Sequence, residues 1–183
     1  GEGVFEVNDI TNESFAFESI TLPNQLRSIG SYAFFGCSFL TSITLPESVS
    51  EIGNHAFIGC SSLASIQVDT NNLTYSSIDS VLYNADGTSL VLYPVAKATT
   101  YTIPNGVTSI GDAAFATASQ LTQVNLASTL TSIGAQAFLM CTSLENIVIP
   151  DSVLTIGPGA FFNCTSLTSV SLSHSLTTIS SSL

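Results

Sequence analysis

LTSITLPESVSEIGNHAFIGCSS, residues 40–62, is the stretch from which most of this chain is built. The pattern returns, whole or degenerate, at a fixed period along the sequence. A repeat of this length is typical of a solenoid, in which each copy buries its apolar face against its neighbours. An Ile-Gly pair marks the register of the copies at Ile29-Gly30, Ile52-Gly53, Ile110-Gly111, Ile133-Gly134 and Ile156-Gly157.

The spacing of these pairs divides the chain into seven units. Neighbouring pairs lie one repeat apart, except that the step from Ile52 to Ile110 is longer, so one unit carries a 12-residue insertion. Units 1 to 7 are residues 17–39, 40–62, 63–97, 98–120, 121–143, 144–166 and a truncated 167–183. We predict a single domain over 1–183, with 23-residue repeats over 17–68 and 98–183, a hairpin insertion over 69–97, and an N-terminal cap over 1–16.

The first part of each unit has the pattern of a short β-strand. In unit 2, Ile43 and Leu45 alternate with polar residues, which is the period of a strand. Pro46 follows directly and ends the strand, because proline has no N–H to donate to a ladder. Identical strands joined by crossovers of more than a dozen residues are expected to pair in parallel. One face of the solenoid is therefore predicted to consist of parallel short strands.

The second part of each unit is predicted to form the opposite face. The motif Gly-x-x-Ala-Phe follows the Ile and places an aromatic residue at Phe34, Phe57, Phe115, Phe138 and Phe161. Residues such as Asn54, directly after the Gly, suit the start of a helix. We therefore expect one turn of α-helix or 3₁₀-helix in each unit, with the Phe in the core. The Gly is expected to permit a sharp corner of the backbone.

The insertion contains the signals of a β-hairpin. Two β-prone runs, Val81–Tyr83 and Ser89–Tyr93, flank Asn84-Ala-Asp-Gly87, and Asp-Gly is a favoured turn sequence. The hairpin is expected to replace the helical turn of unit 3 and to project from the stack. Its three tyrosines would then be candidates for a contact surface, at Tyr75, Tyr83 and Tyr93.

Composition excludes several classes of partner. The net charge is −11, and Arg27 and Lys97 are the two basic residues of the chain. A chain so poor in cations cannot neutralise phosphates, so we expect no nucleic-acid partner. An anionic membrane surface is disfavoured for the same reason. No apolar run approaches the roughly 18–20 residues of a membrane span, so no membrane insertion is expected in this segment.

The residues that most often carry chemistry are arranged by the repeat. Cys37 and Cys60 are one repeat apart, as are Cys141 and Cys164, so each pair occupies one slot in successive units. Stacked side chains point the same way, which suits a disulfide poorly, and free buried thiols are expected. The two histidines lie in different slots, and the sequence contains no recognisable catalytic motif. We predict no catalytic residues, no cofactor and no metal site.

The outward positions of the strands form the patterned surface of the chain. They carry hydroxyls and amides, and in a parallel stack they are expected to line one neutral face. Two interpretations stay open: a shallow recognition surface, or residues that simply suit an exposed strand. A glycan ligand is disfavoured because the face has no aromatic platform. The candidate binding residues are Ser42, Thr44, Ser65, Gln67, Thr100, Thr102, Gln123, Asn125, Asn146 and Ser169.

The motif L-x-x-I-x-L-P-x-x-V-x-x-I-G-x-x-A-F-x-x-C, clearest over 40–60 and 144–164, resembles the BspA-like leucine-rich-repeat family. The resemblance covers residues 17–179, and the insertion is similar to one that is common in that family. Departures include Ala118 at the place of the Cys and Ser80 where Gly is usual.

This resemblance implies a leucine-rich-repeat solenoid and a bacterial protein that is secreted or attached to the cell surface. It also implies a non-enzymatic role in adhesion, with a host, matrix or neighbouring-cell protein as the partner. The alternative is a structural spacer within a larger surface protein, with no ligand of its own. The family has no shared catalytic residues to carry over.

Overall fold

The computed structural model describes residues 17–178, so the predicted cap over 1–16 and the end of unit 7 lie outside the described residues. Within that range the chain forms fifteen short strands and no helix. In chain order the strands are β1 (Ser19–Ile20), β2 (Ser28–Ile29), β3 (Ser42–Leu45), β4 (Glu51–Ile52), β5 (Ser65–Val68), β6 (Tyr75–Ile78), β7 (Val81–Asn84), β8 (Ser89–Leu92), β9 (Thr100–Thr102), β10 (Ser109–Ile110), β11 (Gln123–Asn125), β12 (Ser132–Ile133), β13 (Asn146–Val148), β14 (Thr155–Ile156) and β15 (Ser169–Ser171).

The first strand of each unit pairs in parallel with the first strand of the next unit, except at the insertion, which confirms the predicted solenoid. Ser42 pairs with Ser65 and Gln123 with Asn146, so the register is the repeat itself. Buried and exposed residues alternate, as in β3, where Ile43 and Leu45 are buried. Two further parallel ladders join the short strands that hold the Ile of the Ile-Gly pairs: one joins β2 and β4, and the other joins β10, β12 and β14.

The predicted helical turns are absent from the described residues, and successive β-turns stand in their place. We call residues 30–37, 53–60, 111–118, 134–141 and 157–164 the turn segments. In each of them the residue two after the Gly and the residue six after it have left-handed backbone, for example His55 with φ 60° and Gly59 with φ 80°. A left-handed residue interrupts a right-handed helix, so no helix is sustained. No sequence signal indicated this conformation, because several of these residues are not glycine.

Interrupting the helix frees backbone groups to join one unit to the next. Alternate N–H groups of a turn segment donate to the following unit; for instance Phe34 N donates to Ala56 O at 2.8 Å. Three such bonds join units 1 and 2, units 4 and 5, and units 5 and 6. The core Phe rings stack beneath them, with centroids 4.9 Å apart for Phe115 and Phe138. The turn segments are thus held by their neighbours rather than by internal helical bonds.

The repeated glycine allows two units to approach closely, and none of its five copies has left-handed backbone. A Cβ on Gly134 would lie 2.6 Å from the backbone nitrogen of Asp112 in the preceding unit. Equivalent clashes would occur between Gly53 and Ser31 and between Gly157 and Ala135. The backbone of each unit therefore occupies the space that a side chain would need.

The insertion contains a hairpin, as predicted, but it does not project. Strand β7 pairs antiparallel with both β6 and β8, and β8 pairs in parallel with β10, so the insertion belongs to the stack. Leu82 packs into the core of units 1 and 2, whereas Val81 and Tyr83 pack into the core of units 4 to 6. A strand buried on both faces thus divides the interior into two hydrophobic cores.

Asn72 fixes the start of the insertion from inside the protein. Its side-chain amide donates to Pro46 O and Val49 O at 2.8 and 2.9 Å. Its side-chain carbonyl accepts from the N–H groups of Thr74 and Tyr75. Asn72 is buried, and all of its side-chain amide groups have partners, so it ties the start of the insertion to unit 2.

Candidate functional site

The ten predicted binding residues lie at the outward positions of the first strands, and we call this surface the strand face. Nine of the ten are exposed and Ser65 is partly buried. Each exposed side chain alternates with a buried one, as in β11, where Gln123 and Asn125 flank buried Val124. Because the strands are in register, equivalent residues stand in rows, such as Thr100, Gln123, Asn146 and Ser169.

The structure divides the strand face into two halves. Strands β1, β3 and β5 form one sheet, and β9, β11, β13 and β15 form another. No pairing joins β5 to β9 in the described chain; Ile66 N on β5 donates instead to Ser80 O of the insertion at 2.9 Å. Ser42, Thr44, Ser65 and Gln67 therefore share the first half, and the other six candidates share the second.

Side chains on each half are held by hydrogen bonds within the face. The Gln67 amide donates to Ser65 Oγ and Ser80 Oγ, both at 3.0 Å. On the second half, Gln123 Nε2 donates to Asn125 Oδ1, and Asn125 Nδ2 donates to Thr102 Oγ1 at 3.0 Å. The face is thus an ordered, uncharged array of donors and acceptors, with Val148 as an exposed apolar member of the second half.

The tyrosines of the insertion do not form the contact surface that the sequence predicted. Tyr83 and Tyr93 are fully buried and Tyr75 is partly buried, because the hairpin lies inside the stack. The hydroxyls of Tyr83 and Tyr101 are 2.7 Å apart, and Tyr93 donates to Ala98 O. Burial raises the pKa of Tyr93 to about 12 and also raises the pKa of Tyr83. These residues are structural.

The histidines and the cysteines have separate hydrogen-bond partners. His174 Nδ1 is 2.8 Å from Asp151 Oδ1 on an exposed surface, and His55 Nε2 is 3.0 Å from Gln136 Oε1. Within residues 17–178, no group of three or more His, Cys, Asp or Glu side chains is placed to hold a metal. All four cysteines are free, and Cys60 Sγ donates to Phe34 O of the preceding unit. Burial raises the pKa of Cys60 to about 12.

A cleft that was not predicted from the sequence lies on the side of the turn segments, between units 2 and 4. Leu90 pairs with Ile110, and Thr100 pairs with Gln123, so each pair holds one slot in successive units. The chain takes thirteen residues to pass from Ile110 to Gln123 but only ten to pass from Leu90 to Thr100. Unit 3 is therefore three residues short on this side. The cleft has a volume of about 260 Å³ and extends from Phe57 to Tyr93 and Ala116. The signal in the sequence was Tyr93-Pro94, which follows Leu90 by only three residues and ends the turn segment of unit 3 early.

Comparison with known protein families identifies the relatives of this chain. The model of the BspA type leucine rich repeat region matches in six copies, over residues 7–87 and 88–183. The chain belongs to the BspA-type leucine-rich repeat family. This confirms the resemblance that the repeat motif indicated, and it agrees with the parallel-stranded solenoid.

Solved structures of this BspA-type chain's relatives are bacterial repeat proteins. A leucine-rich repeat protein from Eubacterium ventriosum is 34% identical, with a TM-score of 0.74 over 79% of this chain and 39% of its own. The pneumococcal vaccine antigen PcpA is 26% identical, with a TM-score of 0.69 over 82% and 43% of the two chains. A leucine rich cell surface protein from Faecalibacterium prausnitzii is 28% identical, with a TM-score of 0.55 over 82% and 52%.

The BspA-type chain spans between about two fifths and half of the length of these structures. No curated protein matches it. In residues 17–178 no helix is long and apolar enough to cross a membrane.

Proposed function

We propose that the chain is a non-enzymatic interaction module that acts outside the cell or at its surface and binds a protein through the strand face. Two similar structures support the location: one is described as a vaccine antigen and the other as a cell surface protein. The partner is a protein of the surroundings, which includes a host, a matrix or a neighbouring cell.

The observation that carries this proposal is the set of chemical groups that the strand face exposes. Exposed hydroxyls and amides are presented at fixed spacing by a ladder whose own backbone groups are already paired. Such a surface offers many hydrogen bonds at little cost in ordering, because its side chains are already held by one another. It offers no charge for long-range attraction, so shape and hydrogen bonding determine the partner.

Placing lysines on the strand face tests the proposal. Each half is changed in turn, with Ser42→Lys and Thr44→Lys on the first and Thr100→Lys and Thr102→Lys on the second, and then all four are combined. Binding to an array of purified secreted and cell-surface proteins is measured. We expect the wild type to retain a partner, and the combined variant to bind it at least about tenfold more weakly, because buried unpaired charges oppose association.

A matched variant separates the face from the change in net charge. Gln25, Asn105, Ser119 and Gln120 are positions outside the strand face and exposed to solvent, and replacing all four by lysine alters the charge equally. This control is expected to bind as the wild type does. Equal loss in both variants would move the site off the strand face, and the absence of any partner would favour a structural spacer.

A further inference from the structure

The cleft between units 2 and 4 has an edge of unpaired backbone donors. In regular units the residues two, four and six after the Gly donate their N–H groups to the next unit, as Ala113, Phe115 and Thr117 do. The equivalent residues of unit 2 are His55, Phe57 and Gly59, and their N–H groups have no partner within residues 17–178. His55 and Phe57 line the cleft. Unit 3, too short on this side, leaves these donors free.

The opposite wall carries the matching acceptors. The carbonyl groups that receive such bonds in regular units are those of Asn54, Ala56 and Ile58, or of Ala135, Ala137 and Leu139. In unit 4 the carbonyl of Ala114 accepts from Tyr93 N at 2.8 Å, but those of Asp112 and Ala116 accept from no group of the described chain. The cleft thus has donors on one side and acceptors on the other, which is the pattern that an added backbone segment satisfies.

The unit 4 wall is also cleared of large side chains. The slot five after the Gly holds Phe35, Ile58, Leu139 and Phe162 in the other units but Ala116 here. The slot two after the Gly holds Tyr32, His55 and Gln136 in units 1, 2 and 5 and Gly159 in unit 6, but Ala113 here. Both alanines line the cleft, so its width comes from the short unit 3 and from small residues opposite unit 2.

The ladder of stacked rings is interrupted at the same place. Phe34 and Phe57 stack at 5.1 Å on one side of the cleft, and Tyr93 stacks on Phe115 at 4.9 Å on the other. The cleft volume of about 260 Å³ exceeds that of a cavity of about 150 Å³, which is enough to hold a benzene ring. By volume, the cleft that Phe57 and Tyr93 line is large enough for an aromatic side chain.

The charge of the site favours a cationic occupant. Asp112, whose Oδ1 accepts from Ala135 N in unit 5, carries a carboxylate beside the cleft, and the whole chain has a net charge of −11. Of the two basic residues, Lys97 is 3.1 Å from Asp79 and is already paired. The side chain of His55, at the cleft, is hydrogen-bonded to Gln136 in a solvent-exposed position, so a peptide that breaks this bond exchanges it for solvation.

We propose that this cleft binds a basic peptide segment of a partner protein, folded like a turn segment, by backbone hydrogen bonds, with an aromatic side chain of the peptide beside Phe57 and Tyr93. The peptide takes the place of the turn segment that unit 3 lacks. The inference extends the proposed role as an interaction module, but it uses a surface on the other side of the stack from the strand face.

The test uses a peptide copied from the turn segment of unit 1, residues 30–36, with two lysines at each end: KKGSYAFFGKK. The control peptide KKGSYAAFGKK lacks the ring that corresponds to Phe34 and keeps the charge. Binding is followed by fluorescence anisotropy and by the NMR shifts of the protein's amides. We expect a micromolar dissociation constant, at least about tenfold weaker binding of the control, and shifts at His55, Phe57 and Gly59.

Two protein variants provide the matched comparison. Ala116→Phe places in the cleft wall the residue that the same slot holds at Phe35 and Phe162, and it is expected to weaken binding at least about tenfold. Leu139→Phe makes the same kind of change in the next unit, outside the cleft, and is expected to bind as the wild type does. The strand-face lysine variant and its charge-matched control should bind the peptide equally, which separates this site from the strand face.

Equal affinity for both peptides, unchanged binding by Ala116→Phe, or amide shifts outside the cleft would each overturn the proposal. If Ala116→Phe does not fold, the shift map of the wild-type protein decides by itself. Loss of partner binding through the strand face, with peptide binding retained, would leave the cleft proposal standing and reject only the other site.

Discussion

At the scale of the residue, the apolar slots of the repeat could be predicted and the purpose of the glycine could not. Leu40, Ile43 and Phe57 are buried as their spacing indicated, because inward positions recur with the strand and turn pattern. The atoms that exclude a side chain at Gly134 belong to Gly111 and Asp112 in the preceding unit, and a single unit does not reveal them. Local sequence therefore predicts burial better than it predicts close approach.

A series of Gly→Ala variants separates close approach from backbone conformation. A Cβ at Gly134 would lie 2.6 Å from backbone, one at Gly111 would lie 3.1 Å from Leu90 O, and one at Gly30 meets no described atom within 4 Å. We expect Gly134→Ala to cost about 3 kcal/mol of unfolding free energy, Gly111→Ala about 1, and Gly30→Ala almost nothing. Urea unfolding, followed by circular dichroism, measures the loss of stability in each variant and so ranks the three. Equal losses at all three positions would show that the glycine is needed for conformation instead.

Thr117 is a residue whose replacement should stabilise the protein. Its φ is 65°, which is unfavourable for a β-branched side chain, and its buried hydroxyl has no hydrogen-bond partner. Units 1 and 2 hold Gly36 and Gly59 in this slot. We expect Thr117→Gly to raise the free energy of unfolding by about 1 kcal/mol. The control is Ala116→Gly, at a neighbouring residue without left-handed backbone, and it should lower the free energy of unfolding. If both variants are less stable than the wild type, Thr117 is not strained.

At the scale of the element, the insertion shows where sequence prediction stopped. The Asn84–Gly87 turn was recognisable because Gly87 supplies the left-handed residue, with φ 73°. The preceding turn at Asp79-Ser80, which joins β6 to β7, also has two left-handed residues, but Ser80 in place of Gly concealed it. Without that turn, the sequence predicts β7 as one arm of a projecting hairpin and does not reveal its burial on both faces.

The buried tyrosines of this element make stability depend on alkaline pH. Burial raises the pKa of Tyr93 to about 12, above the ordinary value of about 10, so the folded state favours the neutral phenol. The stability that Tyr93 contributes through this preference is complete below pH about 10 and is lost as the pH rises towards about 12. The buried Cys60 thiol, with a pKa of about 12, also makes the folded state less stable at alkaline pH.

We therefore expect cooperative unfolding in that alkaline range, with tyrosinate absorbance and the loss of circular dichroism occurring together. Tyr93→Phe keeps the ring stack but loses the hydrogen bond to Ala98 O, which costs about 1 kcal/mol at pH 7. It should nevertheless lose less stability than the wild type between pH 7 and 11. Tyrosinate absorbance that develops fully before the fold is lost would contradict the buried environment.

At the scale of the whole molecule, the sequence was sufficient for the solenoid, its parallel ladders and the alternation that exposes the strand face. It was not sufficient for the division of that face or for the cleft. Both features depend on where the insertion packs. Ser80 takes the place beside β5 and so divides the strand face, and the short chain path after Leu90 opens the cleft on the side of the turn segments. Such packing follows from contacts between units, which no repeat motif encodes.

The division of the strand face gives the proposed binding surface two areas of different character. The first half is rich in hydroxyls, at Ser42, Thr44 and Ser65, and the second is rich in amides, at Gln123, Asn125 and Asn146. The folded insertion connects them, so no flexible linker has to be ordered when both are occupied. A partner long enough to reach across meets the second area at high effective concentration, and two weak contacts then give an avidity that neither provides alone.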